Sequence, residues 1–247
     1  MAKPSEHACS MIFRQFFDPV SCTYTYVLGD EAGREACLID PVLEQVDEYA
    51  QWLDEQGVRL VYAIDTHIHA DHITGLGRLR ERTACRTAMG QRSPAECVDV
   101  KLAEGESLSV GTLALRFLYT PGHTDDSYSY VMADRVFTGD ALLIRGTGRT
   151  DFQNGDPYQA YDSLFHKLLL LPETTAVYPA HDYHGKTVST IGDEKRFNPR
   201  LQVRSAREYA DLMASLKLPD PRLMDVAVPA NRRCGQVAPQ NDAGPVG

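Results

Sequence analysis

The feature that most constrains this chain is a junction at residue 67, where a nearly continuous apolar run, VRLVYAIDT at 58–66, gives way to His-Ile-His-Ala-Asp-His. A run of that length and composition reads as a β-strand buried on both faces. The polar hexad then falls on a loop at the strand's C-terminal end, a common seat of ligand sites in α/β sheets. Three of the chain's eight histidines and one aspartate lie in it. Imidazole beside carboxylate suits zinc, iron or manganese. In an extended loop, side chains two apart point the same way. His67 and His69 are thus placed to converge on one ion while Asp71 and His72 approach a neighbouring position, which serves one metal or two.

The same arrangement, strand into polar loop, recurs downstream. SLSVGTLALRFLYT leads to Pro-Gly-His123, SYSYVMADRVFTG to Asp140, and TTAVYP to Ala180-His181. Gly122, Gly139 and Ala180 leave the backbone room to turn close to a shared centre. Between these points, YTYVLG and ACLID flank the turn-prone DEAGRE as a hairpin. Val46, Tyr49, Ala50 and Leu53 recur at helical spacing, predicting a helix over 44–56 that Gly57 ends. A second is predicted over 157–171, with Tyr161, Leu164, Phe165, Leu168 and Leu169 on one face and Pro172 closing it. A third is expected over 199–216, followed by an irregular Pro-rich tail from Pro219.

No repeat or linker divides the 247 residues, so one α/β domain spanning 1–247 is expected, with 199–247 packed against it. A net charge of −9 argues against nucleic acid or a membrane surface as partner, since both attract basic patches. No apolar run nears the ~20 residues of a membrane span, and MAKPSEHACSMIFRQFF lacks the plan of a signal peptide. The six cysteines, at 9, 22, 37, 85, 97 and 234, are scattered without a CxxC pair. That is a poor disulfide framework and points to a reducing cytoplasm. Cys37 and Cys85 read as small buried hydrophobes, and Cys234, in the ANRRCGQ tail, as an exposed, redox-sensitive thiol.

Taken together, HIHADH, GHTDD, GDALL and PAHDY stand in the order and at the separations of the metallo-β-lactamase superfamily, which the chain resembles over residues 12–200. Surface or satisfied core histidines explain any one motif, but not four in register. The resemblance implies an αββα sandwich with a metal in a cleft at one sheet edge. Further stretches, ALLIRGTGRTDFQ at 141–153, AHDYHG at 180–185, Phe197-Asn198-Pro199-Arg200 and Ala227-Val228-Pro229-Ala230-Asn231, resemble the persulfide dioxygenases, the family of the mitochondrial ethylmalonic-encephalopathy protein.

By that resemblance one Fe(II) per chain is held by His67, His123 and Asp140. A two-histidine, one-carboxylate face leaves positions open for a persulfide sulfur and O2, and glutathione persulfide becomes sulfite and glutathione. His69, Asp71, His72 and His181 would then hydrogen-bond the ligands or metal-bound water and keep a second metal out. Arg149 and Arg200, with the Tyr183 hydroxyl, would hold the two carboxylates of the substrate, although an arginine is as often a plain ion pair. No cysteine is assigned to the mechanism. A homodimer follows from the resemblance alone. The chain has no room for a rhodanese domain, so a separate sulfurtransferase would be the upstream donor.

Two rivals remain. A glyoxalase II-like thioesterase would use the same histidines for two metals, but typically adds a longer helical C-terminal domain than the 66 residues after His181. A non-catalytic relative would bind metal or persulfide as a sensor. Diiron flavoprotein relatives carry Glu where His69 stands.

Overall fold

The computed structural model describes residues 11–218 and 223–236. The segment with Cys9, and residues 219–222 and 237–247 of the expected tail, lie outside them. Two six-stranded mixed sheets form the centre. The first comprises β1 (Met11–Asp18), β2 (Thr23–Asp30), β3 (Glu35–Ile39), β4 (Arg59–Ile64), β5 (Arg86–Gly90) and β6 (Val100–Leu102), in sequence order. It is antiparallel from β1 to β3 and parallel from β3 to β6. The parallel steps need crossovers, which α1 (Val46–Gln56) and α2 (Leu76–Thr83) supply for the first two and the loop 91–99 for the third.

The second sheet holds β7 (Ser107–Val110), β8 (Leu113–Tyr119), β9 (Tyr128–Val131) and β10 (Arg135–Gly139). After a small hairpin of β11 (Leu142–Leu143) and β12 (Gly146–Thr147) and helix α3 (Pro157–Phe165), β13 (Ala176–Pro179) pairs parallel to β10. β14 (Ser189–Thr190) completes the edge, followed by α4 (Ile191–Phe197), α5 (Ala206–Ser215) and α6 (Met224–Asn231).

The pleat sorts the core. On β2, Tyr24, Tyr26 and Leu28 join Cys37, Ile39, Ile64, Phe117, Tyr130 and Phe137 between the sheets, while Val27 packs outward with Leu53 of α1 and Leu79 of α2. β2 is buried on both faces for this reason. On the far side, Val136 and Val177 meet Leu164 of α3, Ile191 of α4 and Tyr209 of α5. The layers are helix, sheet, sheet, helix: the α/β metallo-β-lactamase fold expected from the motifs.

Several local expectations change. Helix 44–56 begins as a 3-10 turn at Leu43–Gln45, and Gly57 does cap α1 at φ 61°. Helix 157–171 ends at Phe165, with a separate 3-10 turn at Leu168–Leu170. The third helix starts only at Ala206, because Ser205 caps it by accepting from the Glu208 amide, and Pro199–Leu201 is a 3-10 turn. The expected irregular tail contains α6, with Pro229 inside it. Cys234 is not an exposed thiol. It is buried and disulfide-bonded to Cys97, 137 residues away, so the scattered spacing hid a pair that the fold brings to a Cα separation of 5.9 Å.

Candidate metal centre

Each functional side chain arrives at a strand end through a backbone constraint. Beyond β4, the Thr66 amide and hydroxyl both donate to Asp40 Oδ1, at 2.7 and 3.1 Å. With its proton so used, Thr66 Oγ1 accepts from His67 Nδ1 at 3.0 Å, which leaves the other ring nitrogen with a lone pair. Gly122 sits at φ +135°, and a Cβ there would lie 2.3 Å from the Ala160 backbone, so only glycine lets His123 enter. His123 Nδ1 donates to the Arg149 carbonyl at 2.8 Å, fixing Nε2 as its acceptor. After Gly139, also left-handed at φ +52°, Asp140 turns Oδ2 to within 3.5 Å of His123 Nε2.

His67, His123 and Asp140 therefore converge, each offering a ligand atom within 4.8 Å of the others. Burial, reinforced by the neighbouring His69 and His123, holds His67 well below the usual imidazole range, so it is neutral, as a metal ligand must be. Burial works against charge on Asp140, but His181, His123 and His67 outweigh it and lower its pKa. Two imidazole nitrogens and a carboxylate oxygen, with His123 and Asp140 on the wall of a cavity, are a fitting donor set for a divalent transition metal.

The other four residues are gathered around this triad, each hydrogen-bonded through at least one side-chain atom. His181 donates from Nδ1 to Asp140 Oδ1 and from Nε2 to Asp71 Oδ2, both at 2.7 Å. Burial disfavours its cation, yet the two carboxylates raise its pKa well above the ordinary value. Asp71 Oδ2 also takes His72 Nδ1 at 3.0 Å and the Thr23 hydroxyl at 3.2 Å. His69 does not join His67 on one ion as an extended loop would require: its Nε2 bonds Asp40 Oδ1 at 3.1 Å. Burial opposes its charge, but Asp40, with Asp65 and Asp71, lifts its pKa to about 9. His69, Asp71 and His72 also form a second group with ligand atoms within 4.8 Å, and His69 Nδ1 and His72 Nε2 are buried without a hydrogen bond.

Asp71, His123, Asp140 and His181 line a cavity of about 890 Å³. Its wall is apolar at Val20, Leu143, Ile144, Phe152, Leu218 and Leu223, and cationic at Arg145, Arg149, Lys186 and Arg200. All three residues expected to bind substrate are on it. Tyr183 is exposed and stacks parallel to His181 at 6.1 Å. Arg200 donates to the Thr147 carbonyl and makes no ion pair among the described residues. Arg149 is already engaged: its fork grips both oxygens of Asp151 at 2.7 and 2.9 Å, over the Phe152 ring.

Sequence reasoning missed the residues that shape this wall from behind. Asn198, fully buried, donates to the Gly146 carbonyl at 2.9 Å and accepts from the Arg200 amide at 3.0 Å, tying the β11–β12 hairpin to α4. Arg145 pairs with the buried Glu194. Both stand in stretches singled out in the sequence, where residue type alone gave no role. Asp40 had no signal beyond following a strand.

The model of the metallo-beta-lactamase superfamily matches residues 18–181. The chain is 49% identical over 232 residues to the Homo sapiens protein named persulfide dioxygenase ETHE1, mitochondrial, covering 93% of this chain and 91% of that one. The crystal structure of ETHE1 from Myxococcus xanthus superposes with a TM-score of 0.90 at 56% identity, over 92% of this chain and 100% of that one. More distant is the hydroxyacylglutathione hydrolase of Nitrobacter winogradskyi, 36% identical over 222 residues, covering 88% of this chain and 84% of that one.

Proposed function

Because this chain belongs to the metallo-beta-lactamase superfamily and, within it, to the persulfide dioxygenases, we propose that it oxidises glutathione persulfide with O2, using one Fe(II) held by His67, His123 and Asp140. It is an enzyme, an oxidoreductase acting on a persulfide. The balanced reaction is GSSH + O2 + H2O giving GSH, hydrogen sulfite and a proton. The outer sulfur loses four electrons, O2 accepts them, and water supplies the third oxygen. When bound, iron(II) supplies open coordination positions at which sulfur and O2 meet.

The observation that carries the mononuclear reading is His181. Both its nitrogens already serve carboxylates, and Asp71 Oδ2 serves His181, His72 and Thr23 at once. For a dinuclear hydrolase His181 would have to give up Asp140 or Asp71 to bind a second ion. In the dioxygenase reading they remain a brace, in which His181 pins Asp140 Oδ1 and leaves Oδ2 for the metal. The apolar wall takes the sulfur end of the substrate and excludes water, and Lys186 and Arg200 supply positive charge where two carboxylates must dock.

Oxygen uptake by anaerobically Fe(II)-loaded protein, with sulfite and metal counted, tests this. We expect uptake matched to sulfite at about one iron per chain. Thioester cleavage with two metals and no uptake would establish the glyoxalase II-like rival. His123→Ala should abolish turnover, and partner binding that survives with no turnover in the parent would instead mark a sensor module.

The same proposal includes a single domain, a homodimer, and a separate sulfurtransferase upstream. No helix among the described residues is long and apolar enough to cross a membrane. For a cytoplasmic home the cysteines no longer argue: the Cys97–Cys234 disulfide runs against a reducing compartment.

A further inference from the structure

We propose that Asn231, the last residue of the Ala227-Val228-Pro229-Ala230-Asn231 stretch, is a positioning residue for the metal centre, setting the shape of the loop that carries His67 to His72. This rests on the metal-site reading above. The loop from His67 to Ile73 belongs to no helix or strand, so its backbone groups must find partners elsewhere. Its front is held at Ile68, whose amide donates to Asp126 Oδ2 at 3.1 Å and whose carbonyl accepts from Gln153 Nε2 at 2.8 Å. Its back is held by Asn231 alone among side chains of the described residues. Nδ2 donates to the carbonyls of both His69 and His72, and Oδ1 accepts from the Thr74 amide, each at 2.9 Å. A carboxamide has two donor hydrogens and one acceptor oxygen in a fixed plane. Asn231 uses both in-plane hydrogens of its Nδ2 to fix the distance between the His69 and His72 carbonyls, across 159 to 162 residues of sequence.

The carboxamide is itself immobilised. Asn231 is 1% exposed. Three residues on, Cys234 is bonded to Cys97 and its carbonyl accepts from the Gly77 amide of α2 at 2.9 Å. Gly235, at φ +85°, approaches so closely that a Cβ would lie 2.1 Å from the Thr74 carbonyl oxygen. The Glu96 amide meets the Arg232 carbonyl at 3.3 Å. A segment with no side chain in the metal-facing triad is thus clamped just beyond the residue that holds the back of the loop. Loss of the carboxamide frees the carbonyls of His69 and His72, and with them the register of His67 against His123 and Asp140.

The test loads cobalt(II) into the full chain and reads affinity by chelator competition and geometry by the d–d absorption bands. Asn231→Ala should weaken cobalt binding by about 10-fold or more, the usual effect of losing an outer partner of a metal site, and should shift the bands. Asn231→Ser, which retains one short donor and acceptor, should fall between it and the parent. Leu169→Ala, in a core cluster that holds no residue of the loop, lowers stability and should change neither reading. Parent-like affinity and bands in Asn231→Ser, or in a folded Asn231→Ala that melts early, would overturn the proposal and leave Asn231 a stability residue. If Asn231→Ala does not fold, Asn231→Ser decides. His123→Ala separates the two claims: if it still binds cobalt as the parent does, the metal-site reading has failed rather than this one.

Discussion

A histidine with a carboxylate on each nitrogen can neither rotate nor coordinate, and this is how His181 acts on Asp140 from behind. His181→Ala should therefore leave Asp140 in place but free to turn, weakening metal affinity by about 10- to 100-fold. Chelator competition on the apo and loaded protein measures this, and an unchanged affinity would mean that the clamp holds nothing. At this scale the triad was legible because each member follows a strand, and His123 and Asp140 each follow a glycine. The role of His69 was not, since its partner Asp40 is 29 residues away and only the fold brings it to 3.1 Å. Arg149 was ambiguous for a different reason: the fork that suits a substrate carboxylate suits Asp151 equally, two residues on. Cys37 is buried in the core as expected, and burial pushes its thiol up to about 12.

Among the elements, α3 shows how a helix positions a ligand it does not carry. Asp156 caps α3 by accepting from the Tyr158 and Gln159 amides, and its own amide donates to the Gly122 carbonyl at 2.9 Å, so the helix start and the turn before His123 are one unit. Gly122→Ala drives a Cβ into the Ala160 backbone and should cost about 2 kcal/mol or more, displacing His123. Gly105→Ala, at φ +87° with nothing within 4 Å, carries the backbone strain without the clash and should cost about 1 kcal/mol. Equal losses in urea melts would show that α3 yields freely. The elements that sequence reading missed share a cause. In α6, Pro229 conceals a helix only eight residues long. β1 follows no clean alternation, because it is an edge strand whose Arg14 and Phe17 are exposed. α4 spans seven residues and is started by the Thr190 side chain accepting from the Asp193 amide, a signal too short for periodicity to register.

Over the whole molecule, an α/β domain was legible from buried strands and helices and the two-sheet sandwich only through the motif resemblance, whereas the closure of the C-terminal segment onto α2 was not legible. Spacing says nothing about which cysteines meet when 137 residues intervene. Cys97→Ser should lower stability by about 2–4 kcal/mol, seen as a lower urea midpoint, and adding reductant to the parent should reproduce the shift; a variant as stable as the parent would show that packing alone closes the fold.

That bond also divides the polypeptide into a covalent ring and the strand outside it. His123, Asp140 and His181 lie within the ring from Cys97 to Cys234, as does Asn231, while His67 to His72 lie on the open segment before it. A single cut in the ring, even in the exposed stretch around Tyr183, leaves every metal-facing residue on one covalently connected molecule. A cut between His72 and Cys97 instead severs the covalent path from His67 to its partners, leaving sheet pairing and the shared core to hold the two pieces together.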